Sequence, residues 1–302
     1  MTLADLIASS ATALEAAGVS FGHGTTNAHD EAAWLVLWQL GLALDSPLDE
    51  RPGSVAGHTV AAVDCERVGA LVQRRIASRQ PAAYLTGEAW LQGVPFHVDA
   101  RCIVPRSLIA ELLTSGALDY WLPEGATRLL DLCTGGASLA VLAALAFPQL
   151  PIDASDISPA ALEVAALNLQ RHRLQHRIRL LHGDGLAASD GLYDMVLCNP
   201  PYVNAQSMAQ LPPEYRAEPV LALAGGVDGM DFVRRLLRDL RGVLAPRAAL
   251  ILEIGHERSH FDAAFPMLDV IWLDTSAGSD QVCVVTGDAL GTLSQFGMPV
   301  AP

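Results

Sequence analysis

The sequence predicts an α/β fold: a parallel sheet with helices on both faces, preceded by a small N-terminal helical domain and a linking β-hairpin. Three observations carry that expectation. Apolar residues recur at helical steps from Met1 to about Gln80, the period changes around Gly93 and Pro95, and strand-like runs alternate with helical stretches after Pro105. The chain is accordingly expected to divide into a helical substrate-recognition domain over 1–83, a hairpin linker over 84–104, a sheet domain over 105–290 that carries the chemistry and a flexible tail over 291–302.

Taken in order, Leu3, Leu6, Ile7 and Leu14 recur at three-, four- and seven-residue steps, and Asp30 precedes an apolar run containing Trp34, Leu35 and Trp38. Val68, Leu71, Val72 and Ile76 form an inward stripe, which leaves Arg67, Arg74, Arg75 and Arg79 for a solvated face. Aromatic and β-branched residues predict the hairpin from Glu88–Gln92 and Phe96–Val98. Strands are then expected at 128–132, 152–156, 178–182, 195–198 and 249–254, with helices at 138–146, 159–171 and 232–240. Strand followed by helix, repeated, implies parallel pairing. After about Ala289 glycine and proline punctuate the sequence, which predicts a poorly ordered end.

Composition narrows the function classes. A chain of 302 residues makes one large domain or two of roughly 150 residues each. With 51% hydrophobic and 17% charged residues and a mean hydropathy of +0.30, it is not a disordered protein. All 19 basic residues are arginine and face 33 carboxylates, leaving a net charge of −14. That balance argues against a groove neutralising a long run of phosphates, and no sequence-specific nucleic-acid contact is expected. The longest apolar runs, 32–44 and 137–147, fall short of the ~18 residues of a spanning helix, so no membrane partner is expected. The first twenty residues carry Asp5 and Glu15 and no basic residue, unlike a secretory signal. Five cysteines without a CxxC pair fit a reducing compartment and no metal site. The expected location is cytoplasmic.

Three constellations carry chemistry. The first, Asp131-Leu132-Cys133-Thr134-Gly135-Gly136-Ala137-Ser138, is a strand ending in a glycine turn that opens a helix. Small residues there let backbone N–H groups approach a ligand, although an ordinary tight loop reads the same way. The second is Asp156, at the end of the next strand, where a doubly wound sheet accepts ribose hydroxyls. It could equally cap the helix begun by Ser158-Pro159, and these two features together leave NAD and S-adenosylmethionine both open. The third is Asn199-Pro200-Pro201-Tyr202, at the end of the sheet's fourth strand. Two prolines stiffen the backbone and remove two donors. Asn199 then offers a side-chain oxygen, Pro200 a carbonyl and Tyr202 a ring face, a set suited to a planar group bearing NH₂.

Tetrad, glycine loop and Asp156 together resemble the Rossmann-like class I S-adenosylmethionine-dependent methyltransferases that modify planar amino or amide nitrogens. Further stretches resemble one branch, the ribosomal-protein glutamine methyltransferases of the protein N(5)-glutamine methyltransferase family. They are His23-Gly24-Thr25 with Asp30-Glu31-Ala32, Pro81 to Thr86, Glu88-Ala89-Trp90, Val104-Pro105-Arg106-Ser107 with Ile109, Glu111 and Leu112, and Leu211-Pro212 with Glu214-Tyr215-Arg216. Glu218-Pro219, Leu223-Ala224, Asp228-Gly229 and Arg234-Arg235 continue the likeness, which runs from about residue 20 to about 285.

The resemblance implies transfer of a methyl group from S-adenosylmethionine to the side-chain amide nitrogen of a glutamine in large-subunit ribosomal protein three. It gives Cys133, Thr134, Gly135 and Gly136, flanked by Asp131 and Ala137, the methionine part of the cofactor. It gives Asp156 the ribose, and Asp184 with Gly185 the adenine. Asn199, Pro200, Pro201 and Tyr202 would hold the acceptor amide, with Asn199 also bordering the cofactor and Tyr202 acting through its ring face, not its hydroxyl. The chain departs from the family pattern at Ala137, in place of a third loop glycine, at Ala217, in place of a histidine, and at Gly278-Ser279-Asp280-Gln281, in place of a Gly-Gly-Asp-Gly turn. Release-factor glutamine methylation is the sister alternative, disfavoured by Ser107-Leu108-Ile109 where its members carry Glu-Thr-Glu. A nucleic-acid adenine amino methyltransferase is the more distant one, disfavoured by the acidic charge and the absence of lysine.

Overall fold

The structure is a computed structural model that describes residues 1–49, 51 and 53–295. The chain divides into two compact units. The first comprises Met1–Ala89 together with Leu211–Ala217, and the second Trp90–Gln210 with Glu218–Pro302. The short segment Leu211–Ala217 therefore belongs to the first unit, although the chain on either side of it belongs to the second.

The first unit is helical: α1 (Leu3–Ala16), α2 (Ala28–Gln39), α3 (Ala62–Ser78) and α4 (Ala82–Thr86). Thr2 and Asp5 cap α1 reciprocally, each side chain accepting from the other's backbone N–H. Asn27, not Asp30, caps α2, by accepting from the Asp30 amide at 2.9 Å. The expected stripe of Leu3, Leu6, Ile7 and Leu14 is buried, as are Val68, Leu71 and Val72 of α3. One expectation fails here. Arg75 lies in the buried stripe of α3, 0% exposed, because three partners in its own unit satisfy the guanidinium. Its Nε donates to Glu31 at 2.9 Å, Nη1 to Glu214 at 3.3 Å and Nη2 to the Ser20 carbonyl at 3.0 Å. Glu31 and Glu214 are buried too, and Arg79 reaches Glu214 at 2.7 Å. Charges withdrawn from water persist only when paired in this way.

Strand β1 (Glu88–Leu91) turns through Gln92 and Gly93, both at positive φ, into β2 (Val94–His97). Positive φ at both central residues is the turn geometry that matches strand twist in tight hairpins. In the second unit follow α5 (Ile109–Thr114), β3 (Leu129–Leu132), α6 (Ser138–Ala146), β4 (Ile152–Asp156), α7 (Pro159–His172), β5 (Ile178–His182), β6 (Tyr193–Cys198), α8 (Ala205–Gln210), α9 (Asp231–Asp239), β7 (Leu244–Glu253), α10 (Arg258–Ala264), β8 (Ile271–Thr275), β9 (Gly278–Thr286) and α11 (Gly287–Gln295). Seven strands form one sheet in the order β5-β4-β3-β6-β7-β9-β8. The first five are parallel neighbours, whereas β9 runs antiparallel to both β7 and β8. The sheet is thus mixed: a strand–helix alternation implies only parallel pairing, and the antiparallel edge pair β8 and β9, joined at Ser276-Ala277, lies outside that rhythm. The helix α11 occupies 291–295 of the expected tail, and 296–302 lie outside the described residues.

Both faces are covered. Leu139 to Ala144 of α6 and Ala165 and Leu169 of α7 pack on one, and Phe232 to Leu237 of α9 with Phe261 of α10 on the other. Chain order reverses between β3 and β6, and ligands of such sheets bind outside the strand ends at that reversal. Register aligns Leu132 with Ser155 on one side and Cys198 on the other, so Cys133, Asp156 and Asn199 leave the sheet at one level.

Candidate active site

A cavity of about 510 Å3 opens at those strand ends, within the ~300–1,000 Å3 of small-ligand sites. Cys133 and Gly135 line it, and the loop they belong to is held from beneath by Asp131. One oxygen of the buried Asp131 carboxylate accepts from the Thr134 hydroxyl at 2.5 Å and from the Ala140 amide at 2.9 Å. Burial pushes its pKa up to about 7, partly opposed by those two donors. Asp156, also lining the cavity, accepts from the Gly135 amide and the Ser158 amide, each at 2.8 Å. Its pKa is raised by burial, against the pull of those amides. Ser158 is the side-chain cap of α7, accepting from Ala161. Asp156 therefore braces the glycine turn and the capping residue, while Ser158, not Asp156, caps α7.

The rest of the expected set divides. Asp184, Gly185, Asn199 and Pro201 line the cavity, whereas Asp131, Thr134, Gly136, Ala137, Pro200 and Tyr202 are not among the residues that line it. Asp184 pairs with Arg235 at 2.9 Å, and that guanidinium lies 5.6 Å from the ring centre of Phe232. Three glycines bracket the tetrad. A Cβ on Gly225 would stand 2.8 Å from the Pro201 carbonyl oxygen, one on Gly229 2.2 Å from that of Tyr202, and one on Gly255 2.6 Å from the Tyr202 ring. The tetrad's continuation pairs with the same loop: the Val203 amide donates to Leu223, and the Gly225 amide to Val203.

Sequence reasoning missed Arg101, Cys102 and Ile103 on the cavity wall, and Asn168 behind it. Fully buried on α7, Asn168 accepts from the His97 amide at 2.7 Å and donates to the carbonyls of His97 and Gly136, tying the end of β2 to the glycine turn. A polar residue on the inner face of an otherwise amphipathic helix was the available signal.

Residues 114–211 match the family model of the methyltransferase small domain. The chain is 52% identical to the ribosomal protein uL3 glutamine methyltransferase of Bordetella pertussis over 96% of its length and 97% of the relative's. It is 46% identical to the protein of the same name in Burkholderia pseudomallei, over 96% and 95%, and 43% identical to that of Neisseria meningitidis, over 96% and 94%. The chain belongs to the ribosomal protein uL3 glutamine methyltransferase family. It is an enzyme, a protein glutamine methyltransferase. The hMettl16 catalytic domain in complex with an RNA hairpin of the MAT2A 3′UTR shares the fold, with a TM-score of 0.51 at 13% identity over 74% of this chain and 81% of that one.

Within each unit, stretches that resemble this methyltransferase family meet in space. In the second unit Arg106 grips Glu218 through two hydrogen bonds, at 2.6 and 2.8 Å, and the Val104 amide donates to the same carboxylate at 2.9 Å. Ser107 donates to Glu253 at 2.5 Å. In the first unit the His23 and Tyr215 rings lie 4.2 Å apart, and a Cβ on Gly22 would stand 2.3 Å from the Tyr215 hydroxyl. The departures are accommodated locally. Ala137 holds the left-handed conformation, φ +63°, that a glycine would take at no cost. Gln281 donates its amide to the Ala277 carbonyl, closing the turn that enters β9.

Proposed function

We propose that this chain methylates the side-chain amide nitrogen of a glutamine in large-subunit ribosomal protein three, uL3, in the cytoplasm, with S-adenosylmethionine as methyl donor. The observation that carries the reading is the placement of Asn199 and Pro201 on the wall of the cavity that Cys133, Gly135 and Asp156 also line. The family relatives named for this reaction span almost the whole chain. Among the described residues no helix is long and apolar enough to cross a membrane, and no cluster of His, Cys, Asp and Glu could hold a metal ion.

The residues present fit the cofactor. Ser155 Oγ, on a residue of the cavity wall, is buried without a hydrogen-bond partner among the described residues, a polar group of the kind a bound ligand completes. Cys133 and Gly135 would hold the methionine part, Asp156 the ribose, and Asp184 with Gly185 the adenine. Bound there, S-adenosylmethionine supplies a sulfonium-activated methyl group.

The chain's own residues deal with a poor nucleophile. An amide nitrogen delocalises its lone pair into the carbonyl, so much of the acceleration must come from orientation. Asn199 Oδ1 and the Pro200 carbonyl accept the two amide N–H bonds and turn the nitrogen toward the cofactor pocket. Tyr202 and the glycine-bracketed loop keep that pair of acceptors in place. The amide proton is released after transfer, so no strong base is required beforehand. The test is to incubate the purified chain with S-adenosylmethionine and uL3 and to map the product by mass spectrometry. One methyl group on a glutamine side chain supports the reading; methylation of a release factor in preference to uL3 would overturn the assignment of the partner.

A further inference from the structure

Glu253 is a buried carboxylate that the reaction as described does not use. It ends β7, the strand beside β6, and is 3% exposed. Such a group is stable inside a protein only where donors surround it. One oxygen accepts from the Ser107 hydroxyl at 2.5 Å and from the Leu108 amide at 2.9 Å. The other faces the tetrad, with the Tyr202 hydroxyl 3.4 Å away. Two residues farther along, Gly255 at φ +54° presents no side chain, and the Tyr202 ring lies where its Cβ would be. Gly229 crowds the Tyr202 carbonyl from the other side. The fourth residue of the tetrad is thus engaged at hydroxyl, ring and carbonyl, and the hydroxyl contact is made by a side chain that is itself clamped.

We propose that Glu253 is a positioning residue for methyl transfer: fixed by Ser107 and Leu108, it holds the Tyr202 hydroxyl and thereby the attitude of the Asn199–Tyr202 backbone toward the acceptor amide, a role for the hydroxyl in place of the ring-face contact expected from the sequence. This rests on the reading that the tetrad holds that amide. It also gives Ser107 a reason to stand after the Pro-Arg pair. Sites held through side chains locked by a second layer of hydrogen bonds keep the geometry that transfer requires.

The experiment uses the full chain as wild type, Glu253→Gln, Tyr202→Phe and the double variant. Cofactor affinity, melting temperature and the kcat and KM for uL3 are measured for each. Expected is a fall in kcat of about ten-fold in each single variant, as loss of a hydrogen bond to a charged group allows, with cofactor affinity unchanged within about two-fold. The double variant should be no slower than the slower single one. Losses that multiply in the double variant, or wild-type kcat in Tyr202→Phe, would overturn the proposal. The Tyr202→Phe arm decides the matter even if Glu253→Gln fails to fold. Ring-labelled tyrosine NMR supplies a readout independent of the substrate, with Tyr202→Phe assigning the signal among the five tyrosines. A Tyr202 resonance unmoved by Glu253→Gln overturns the inference. A wild-type chain inactive on uL3 whose Tyr202 resonance does move overturns the partner reading alone.

Discussion

Asp156 and Asn199 leave the sheet at the same level on either side of β3, yet they are assigned to different ligands, and substitution should separate them. Asp156→Ala removes a buried acceptor that also holds the Gly135 amide, and cofactor affinity measured by calorimetry should fall by about ten-fold or more. Asn199→Ala should lower kcat sharply while leaving cofactor affinity within a few-fold. Unchanged cofactor affinity in the first, or equal losses of binding and turnover in the second, would reverse the assignments. Asp131 makes a prediction about pH. Burial raises its pKa to about 7 from 3.8, so below pH ~4 it is protonated in folded and unfolded chains alike and its contribution to stability is fully present. As pH rises, the unfolded chain releases the proton first, and that contribution is lost as pH passes about 7. Urea unfolding at pH 5 and pH 8 should therefore show the wild type losing stability relative to Asp131→Asn, by about 3 kcal/mol at most, since about two pH units of the shift lie in that interval. No difference in slope between the two would mean that the carboxyl is solvated.

At the scale of elements, the glycine turn and the start of α6 meet at Ala137, buried and left-handed. A Cβ in that conformation costs roughly 1–2 kcal/mol, partly offset by the lower unfolded-state freedom of alanine. Ala137→Gly should accordingly stabilise the fold by up to about 1 kcal/mol in thermal or denaturant unfolding and leave cofactor affinity unchanged. A destabilised variant would show that the Ala137 methyl contributes more by packing than its backbone costs. The strands β4 and β5 and the helix α6 were legible to the residue, because each is a short run bounded on at least one side by proline or glycine (Pro151, Gly183, Gly136 and Pro148), and such punctuation acts locally. The antiparallel pair β8–β9 was not, since two successive strands break the strand–helix rhythm and their pairing partner, β7, is supplied by the sheet.

On the scale of the whole molecule, the segment Leu211–Ala217 leaves the second unit's chain to join the first, where Glu214 meets Arg75 and Arg79. Removing one member of a buried ion cluster leaves the other charges uncompensated, typically at about 3–5 kcal/mol. Arg75→Ala should cost that much in stability and make Leu211–Ala217 more susceptible to limited proteolysis. A loss below about 1 kcal/mol would indicate that water replaces the guanidinium. Deleting Met1 to Gln80 removes both arginines from Glu214 and so disturbs the segment that follows α8 as well as the helices themselves.

Local order and chemistry were written in the residues: helical and strand periods, the Asn-Pro-Pro-Tyr tetrad, the glycine turn and Asp156 all act through neighbours in the chain, and a reader of the sequence meets them together. Arg75 shows the limit of that reading. An arginine on an amphipathic helix belongs to a solvated face unless carboxylates distant in sequence meet it, and Glu31 and Glu214 are 44 and 139 residues away. The same holds for Arg106 with Glu218, Asn168 with His97, and Glu253 with Ser107 and Tyr202, contacts made across 51 to 146 residues. Periodicity reports which face of an element is apolar, while the partner of a buried polar group is chosen by the packing of whole elements, and only the tertiary structure decides it.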